Sequence, residues 1–533
     1  MRRIPDGGEE MNDETKLCSF LIERLIGFSR AKGLVEELDI HVVRNSLMEL
    51  FEVDVPFSSE TSDISELNKA ILNDFEEDSP AGILEPLIGI GAKMGFIPLN
   101  TVTYRDLLSS KIMGLLMPRQ SEITRKFYEI YDEDGPAGAT DYFYNLSKAS
   151  NYIRIDRIKK NWVWVSPTKS GYLEISVDMA KPEKDPKGIV NQKTLQDSGY
   201  PKCLICAENV GFKGNLNHPA GQNLRIIPYI VQGENWYLQF LPYSHYEEQS
   251  IIFYEKHVPM KISELTFVRL LDFVAAFPAY FIGSNADLPI IGGSDSSHEH
   301  YQVGKHIFPL DLAHVGKEFT CTRYPEATLY MLDWPLSTVR VESKDKKTVE
   351  NLSIEIFDRW KNYSDENLEI IAETTEAHNT IMPVARRGEG GTYIMNLILR
   401  NNRADERYPD GIFNTHKIHH HLIKDNIGLT EAMGLAVLSS TLWEQIGDMS
   451  YQLMGMKDHD YEKIHKKWLD EIIDIFGDNM TKEGADGALK LMIPEKFSDI
   501  LDNCGVFKKT EEGKQGFLRF IEEIGCIEKA KVR

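Results

Sequence analysis

Hydrophobic and polar positions along the chain fall into two textures. From about residue 14 to 150, apolar side chains recur at helical spacing, as in Leu17, Phe20, Leu21 and Leu25, and polar breaks such as DVPFSSETSD interrupt them. The same period continues through YRDLLSSKIMGLLM and ITRKFYEIYD, so this stretch is predicted helical. Near Asn151 the pattern changes. NYIRIDRIKKNWVWVSP, YLEISVDM, LRIIPYIV, NWYLQFLPY and QSIIFYE carry the β-branched and aromatic alternation of strands. ISELTFVRLLDFVAAFPAYF then reads as a helix leading to a glycine-rich turn and SSHEHYQV. From about residue 321 the pattern resets: TLYMLDWPLSTVRVES and TYIMNLILRNN read as strands bracketed by helices, and the tail from about 429 is mostly helical.

The predicted organisation follows. Residues 1–150 form a helical extension, 151–320 an α+β half, and 321–533 a second α+β half with a helical tail. The fold class is α+β, two halves of sheet and helix behind the extension. No repeat in the sequence is clear enough to make the halves duplicates.

Composition narrows the partners. A net charge of -22 repels a phosphate backbone and argues against nucleic acid. It leaves room for one phosphorylated small molecule, since a few local donors suffice for it. The opening MRRIPDGGEEMNDETK has no apolar run after its arginines, so no signal peptide is expected. No stretch of about 18 apolar residues predicts a membrane helix. Of six cysteines, Cys18, Cys321, Cys504 and Cys526 are scattered, while Cys203 and Cys206 form one CxxC. That usage predicts no disulfide framework and fits a reducing cytoplasm.

The segment DLPIIGGSDSSHEHYQVG, residues 287–304, holds the most chemistry. On a strand, His298, His300 and Gln302 share one face, with Glu299 and Tyr301 on the other. Gly292 and Gly293 allow close approach of a ligand to the backbone. Imidazole is half neutral near pH 6.5 and can hold a phosphoryl or nucleotidyl group covalently. Gln302 can donate to a phosphate oxygen without titrating. Two structural strand histidines, or a simple metal-chelating pair, are the plainer readings of the same pattern. YPKCLICAENVG offers a zinc knuckle, a redox pair or chance; no thioredoxin-like pattern surrounds it. His257 and His298 are available to complete a zinc set. In HKIHHH, His416, His419, His420 and His421 read as a solvated cluster rather than a metal site. Gly388, Gly390 and Gly391 in RRGEGGTY read as a turn between strands, not a phosphate cradle, because no helix follows.

Three blocks carry a resemblance. DLPIIGGSDSSHEHYQVG is similar to the active-site motif of class II galactose-1-phosphate uridylyltransferases, in the histidine-triad superfamily, where the transferases read His-x-His-x-Gln. CLICAENVGFKGNLNHP resembles the family's zinc knuckle, and HHHLIKDNIGLTEAMGLAVL its C-terminal motif. The likeness covers nearly the whole chain.

The resemblance implies uridylyl exchange between UDP-glucose and galactose 1-phosphate, with His300 as nucleophile and Gln302 steadying the transferred phosphate. Gly293 and Ser294 would line the phosphates, and Asn285 and Asp287 would approach the nucleotide. Cys203, Cys206, His257 and His298 would hold a structural zinc, leaving His300 to react. It also implies a homodimer with shared sites, in which Lys424 meets the sugar phosphate and Glu431 the sugar hydroxyls. Asp295, Ser296 and Val303 depart from the usual motif. YIMNLILRN carries no histidine where the class I enzymes hold iron, so no iron site is expected. Two rivals stand beside this reading: a phosphorylase or hydrolase of the same superfamily, and a non-catalytic zinc-stabilised nucleotide-sugar-binding protein.

Overall fold

The computed structural model describes residues 13–57, 78–181, 199–291, 296–423 and 426–529. The chain divides into two compact units. The first comprises residues 1–159, 180–228 and 237–243, and the second residues 160–179, 229–236 and 244–533.

Helices dominate the first unit: Asp13–Ala31, Ile40–Leu50, Ala81–Lys93, Val102–Gly114 and Gln120–Ala149. Leu25, Leu47, Leu87, Ile112, Phe127 and Phe143 are fully buried, as the 3.6-residue apolar period predicts. The last of these helices is interrupted at Gly135, whose φ of 81° leaves the helical region just ahead of Pro136. Proline disfavours helical geometry in the residue before it, and glycine takes the resulting turn without strain.

NYIRIDRIKK does not begin the strands, because Ile155–Ile158 is a helical turn. Arg154 and Arg157, three residues apart, both bind the Asp106 carboxylate, at 2.7 and 2.6 Å. Helical spacing brings both guanidinium groups to one carboxylate, where extended spacing would part them.

Strands follow: β1 (Trp162–Thr168), β2 (Gly171–Asp178), β3 (Ile227–Val231), β4 (Glu234–Phe240), β5 (Ser250–Tyr254), β6 (Phe281–Gly283) and β7 (His300–Gly304). Next come β8 (Val315–Cys321), β9 (Tyr324–Leu332), β10 (Thr338–Ser343), β11 (Asn379–Arg387), β12 (Tyr393–Asn401), β13 (Leu435–Ser439) and β14 (Cys526–Glu528). Among the described residues the larger sheet has the order β14-β8-β9-β10-β12-β11-β6-β7-β5-β4-β3. Read outward from the β6–β11 pairing, one side runs 6-7-5-4-3 and the other 11-12-10-9-8. The helix Glu264–Ala276 joins β5 to β6, and Lys346–Asn362 joins β10 to β11. The two halves therefore repeat one topology, with β12 in the place of β7, although the sequence shows no duplication.

Both crossover helices begin at capping residues. Ser263 forms a reciprocal capping box with Thr266, and the Asp345 side chain accepts from Thr348 N at 2.7 Å. Their inner faces bury Phe267, Leu270 and Val274 on one and Val349, Leu352 and Trp360 on the other. The opposite side of the sheet packs Phe281, Met382, Val384 and Ile398 against Leu435, Ile446, Trp468 and Leu501 of the C-terminal tail.

The predicted α+β class is what the structure has. Within the helical tail, β13 departs from expectation and pairs parallel with β2. No disulfide framework is expected from the scattered cysteines, yet one pair is linked: Cys321 and Cys526 form a disulfide. They are 205 residues apart in sequence, but β14 pairs with β8 so that the two lie directly opposite.

Candidate active site

β7 is paired on both sides, with Phe253 opposite His300 and Gly283 opposite Gln302. That register fixes which face each side chain takes. Tyr301 and Glu299 point to the helix side, where Arg269 binds Glu299 at 2.8 Å and Glu234 at 2.6 Å. Burial raises the Tyr301 and Glu299 pKa values, and Arg269 opposes the shift. This network anchors the strand from behind.

His300 lies on the other face, with its Nδ1 2.8 Å from the His298 carbonyl oxygen. A carbonyl only accepts, so Nδ1 carries the proton and Nε2 the lone pair. His300 is buried, and in this tautomer its lone pair belongs to Nε2.

His298 is fully buried, and its Nε2 donates to the Tyr254 carbonyl at 2.7 Å. Nδ1 is then the nitrogen with a lone pair, and a backbone carbonyl on the second nitrogen is how metal-ligating histidines are oriented. Cys203 and Cys206 belong to the first unit, and His257 and His298 to the second, where their ring centroids are 4.9 Å apart. The two sulfurs are 3.4 Å apart. The knuckle itself is tied by Asn209, whose amide donates to the carbonyls of Cys203 and Cys206 at 2.9 and 2.8 Å. Two cysteine sulfurs and two imidazoles are donor types that suit zinc.

The C-terminal motif meets the same strand. Leu429 N–H donates to Asn285 Oδ1 at 2.8 Å, and Thr430 Oγ1 donates to Gln302 Oε1 at 3.0 Å. Glu431 lies on the same turn, and desolvation raises its carboxyl pKa. Asp287 accepts from Ile262 N at 2.8 Å and Thr380 Oγ1 at 2.6 Å, which pins the start of the glycine-rich loop. Gly293, Ser294, Asp295 and Lys424 lie outside the described residues. Sequence reasoning passed over Thr430 and the Tyr254 carbonyl. Thr430 was within sight of it, beside Glu431, but a backbone carbonyl leaves no trace in residue types.

The remaining motifs resolve into structural roles. RRGEGGTY is a turn between β11 and β12, as expected. The HKIHHH histidines are not a solvated cluster. His419 is buried, and His421 Nδ1 lies 3.1 Å from His465 Nδ1. Burial, with the neighbouring His465, pushes the His421 pKa down to about 4. The tail packs over these rings, a placement invisible to a count of polar residues.

Residues 74–259 match the family model described as galactose-1-phosphate uridyl transferase, N-terminal domain. A galactose-1-phosphate uridylyltransferase of Caldanaerobacter subterraneus subsp. tengcongensis is 48% identical over 96% of this chain and 98% of its own length. Proteins of the same name from Halalkalibacterium halodurans and Bacillus subtilis are 43% and 41% identical, over 94% and 95% of this chain and 98% and 97% of their own lengths. Among solved structures, a yeast Ap4A phosphorylase aligns with a TM-score of 0.32 and 11% identity, over 59% of this chain and 86% of its own. This protein is therefore an enzyme of the nucleotidyltransferase class, in which a transferred nucleotidyl group must be met by a nucleophile and by donors to its phosphate. It belongs to the galactose-1-phosphate uridylyltransferase family.

Proposed function

We propose that this enzyme exchanges uridylyl groups between UDP-glucose and galactose 1-phosphate, giving glucose 1-phosphate and UDP-galactose, in two displacements at His300. The relatives' shared activity over almost the whole chain carries the reaction. The ring hydrogen bond of His300 supports its route. Nε2 attacks the α-phosphorus of UDP-glucose, forming a P–N bond as the P–O bond to glucose 1-phosphate breaks. The ring becomes cationic, with Nδ1–H still held by the His298 carbonyl. Galactose 1-phosphate then attacks phosphorus, the P–N bond breaks, and neutral imidazole returns. Gln302 donates to the phosphate oxygens as charge shifts, Gly293 and Ser294 line the diphosphate, and Asn285 and Asp287 face the nucleotide.

Zinc held by Cys203, Cys206, His257 and His298 is the structural metal of this reading. When bound it would supply rigidity to the segment that ends in the nucleophile. A cytoplasmic location fits the thiol state that Cys203 and Cys206 need as ligands, with the Cys321–Cys526 disulfide as the exception. No helix among the described residues is long and apolar enough to cross a membrane.

Incubation with UDP-glucose labelled in the uridine is expected to leave one uridylyl group on the protein, at His300, released by galactose 1-phosphate. Label that binds but never becomes covalent, as judged by mass analysis after denaturation, overturns the two-step route.

A homodimer with shared sites completes the reading, Lys424 meeting the sugar phosphate and Glu431 the sugar hydroxyls across the interface. Refolding inactive His300→Ala with inactive Lys424→Ala is expected to restore about a quarter of wild-type activity. Half the dimers are then mixed, each with one intact site. Mixed dimers that form without activity would place each site within a single subunit.

A further inference from the structure

The turn at residues 428–431 touches two side chains of the transfer site, and both are carboxamides. Leu429 N–H can only donate, so the group it meets at 2.8 Å is the oxygen of Asn285. The donor end of that amide, its nitrogen, is therefore not the end that meets Leu429. One residue on, the Thr430 hydroxyl donates to Gln302 Oε1 at 3.0 Å. The Gln302 nitrogen, with two hydrogens, is then the end of the group that can donate to a ligand. An ionised phosphate only accepts, so a carboxamide facing it with its oxygen would repel, and one facing it with its nitrogen binds. The close seating of the turn depends on Gly283, which pairs with Gln302 across β6–β7. A Cβ at Gly283 would come within 2.7 Å of Leu429 Cδ2 and 3.1 Å of the Pro383 carbonyl oxygen. Without a side chain there, Leu429 packs onto the strand and Thr430 reaches Gln302.

We propose that Thr430 is a positioning residue for uridylyl transfer, holding the Gln302 carboxamide with its nitrogen presented to the phosphate. The inference rests on the reading of His300 as nucleophile and Gln302 as phosphate donor. In this proposal Thr430 acts through Gln302, which its hydroxyl contacts. Its hydroxyl ties the Gln302 carboxamide at 3.0 Å, which narrows the side-chain positions that meet UDP-glucose.

The test is the rate of the first half-reaction, followed by rapid quench with uridine-labelled UDP-glucose. Thr430→Val keeps the shape and removes the hydroxyl. It is expected to slow uridylyl-enzyme formation about tenfold, the scale of one lost neutral hydrogen bond. The half-saturating UDP-glucose concentration should stay within about twofold, because orientation matters most as charge shifts in the transition state. Thr430→Ser, which keeps the hydroxyl, should recover most of the rate. Thr430→Val added to Gln302→Ala should slow the reaction no further, since no amide is left to orient. A merely structural Thr430 would give additive effects, a fall in thermal midpoint in step with rate, and no recovery by serine. Any of these, or a Thr430→Val rate equal to wild type, overturns the proposal. Should wild-type protein form no adduct at all, the functional reading itself fails and the proposal with it. A wild-type adduct with an unaffected Thr430→Val rate removes this inference alone.

Discussion

His300→Ala is expected to abolish both half-reactions, lowering turnover by on the order of a million-fold, the scale seen when a covalent nucleophile is removed. The reason is specific to this strand. The His298 carbonyl fixes the proton on Nδ1, so the reactive lone pair sits on Nε2, and the register of β7 with β5 and β6 places that ring on the face shared with Gln302. Neither neighbour can take over. His298 is fully buried with its Nε2 committed to Tyr254, and Gln302 carries no nucleophilic nitrogen. UDP-glucose should still bind the variant with a dissociation constant close to wild type, measured by calorimetry. Turnover above a trace, with the variant freed of wild-type contamination, would remove His300 from the mechanism.

Cys206→Ser is expected to lose metal and stability together. Cys206 is buried, with its sulfur 3.4 Å from that of Cys203. Structural zinc contributes roughly 10 kcal/mol or more where it organises a small fold, and one ligand carries part of that. A loss of about 3–5 kcal/mol at about 2–4 °C per kcal/mol lowers the thermal midpoint by roughly 10 °C. Zinc content should fall from about one equivalent to well under half, by elemental analysis of protein prepared without chelators. A wild-type preparation that itself holds under about half an equivalent would refute the four-ligand set. Unchanged melting of a zinc-free variant would show that the metal, though bound, does not support the fold.

Much of this protein is written in its sequence. Local patterns specify the helices before residue 150, the strand character after it and the helical tail, because side-chain period follows directly from backbone geometry. The alternation in His298-Glu299-His300-Tyr301-Gln302 separates the reactive face from the anchoring face before any coordinates are known. The CxxC and the two histidines are candidate metal ligands by residue type. Tertiary structure decided the rest, wherever the partner lies far along the chain or has no side chain. The sequence shows no duplication, yet β3–β7 and β8–β12 repeat one order, since many apolar sequences satisfy the same pairing. Cys321 meets Cys526 only because β14 closes the edge of the sheet beside β8. The HKIHHH rings, polar by composition, are enclosed by the tail, and IRIDRI, strand-like by alternation, is a helical turn because Asp106 draws Arg154 and Arg157 to one side. The proton on His300 is placed by a backbone carbonyl, and the Gln302 amide is oriented by a hydroxyl 128 residues away. Residue types name candidate groups; which atom of each is engaged within the chain is set by hydrogen bonds that only the folded chain can form.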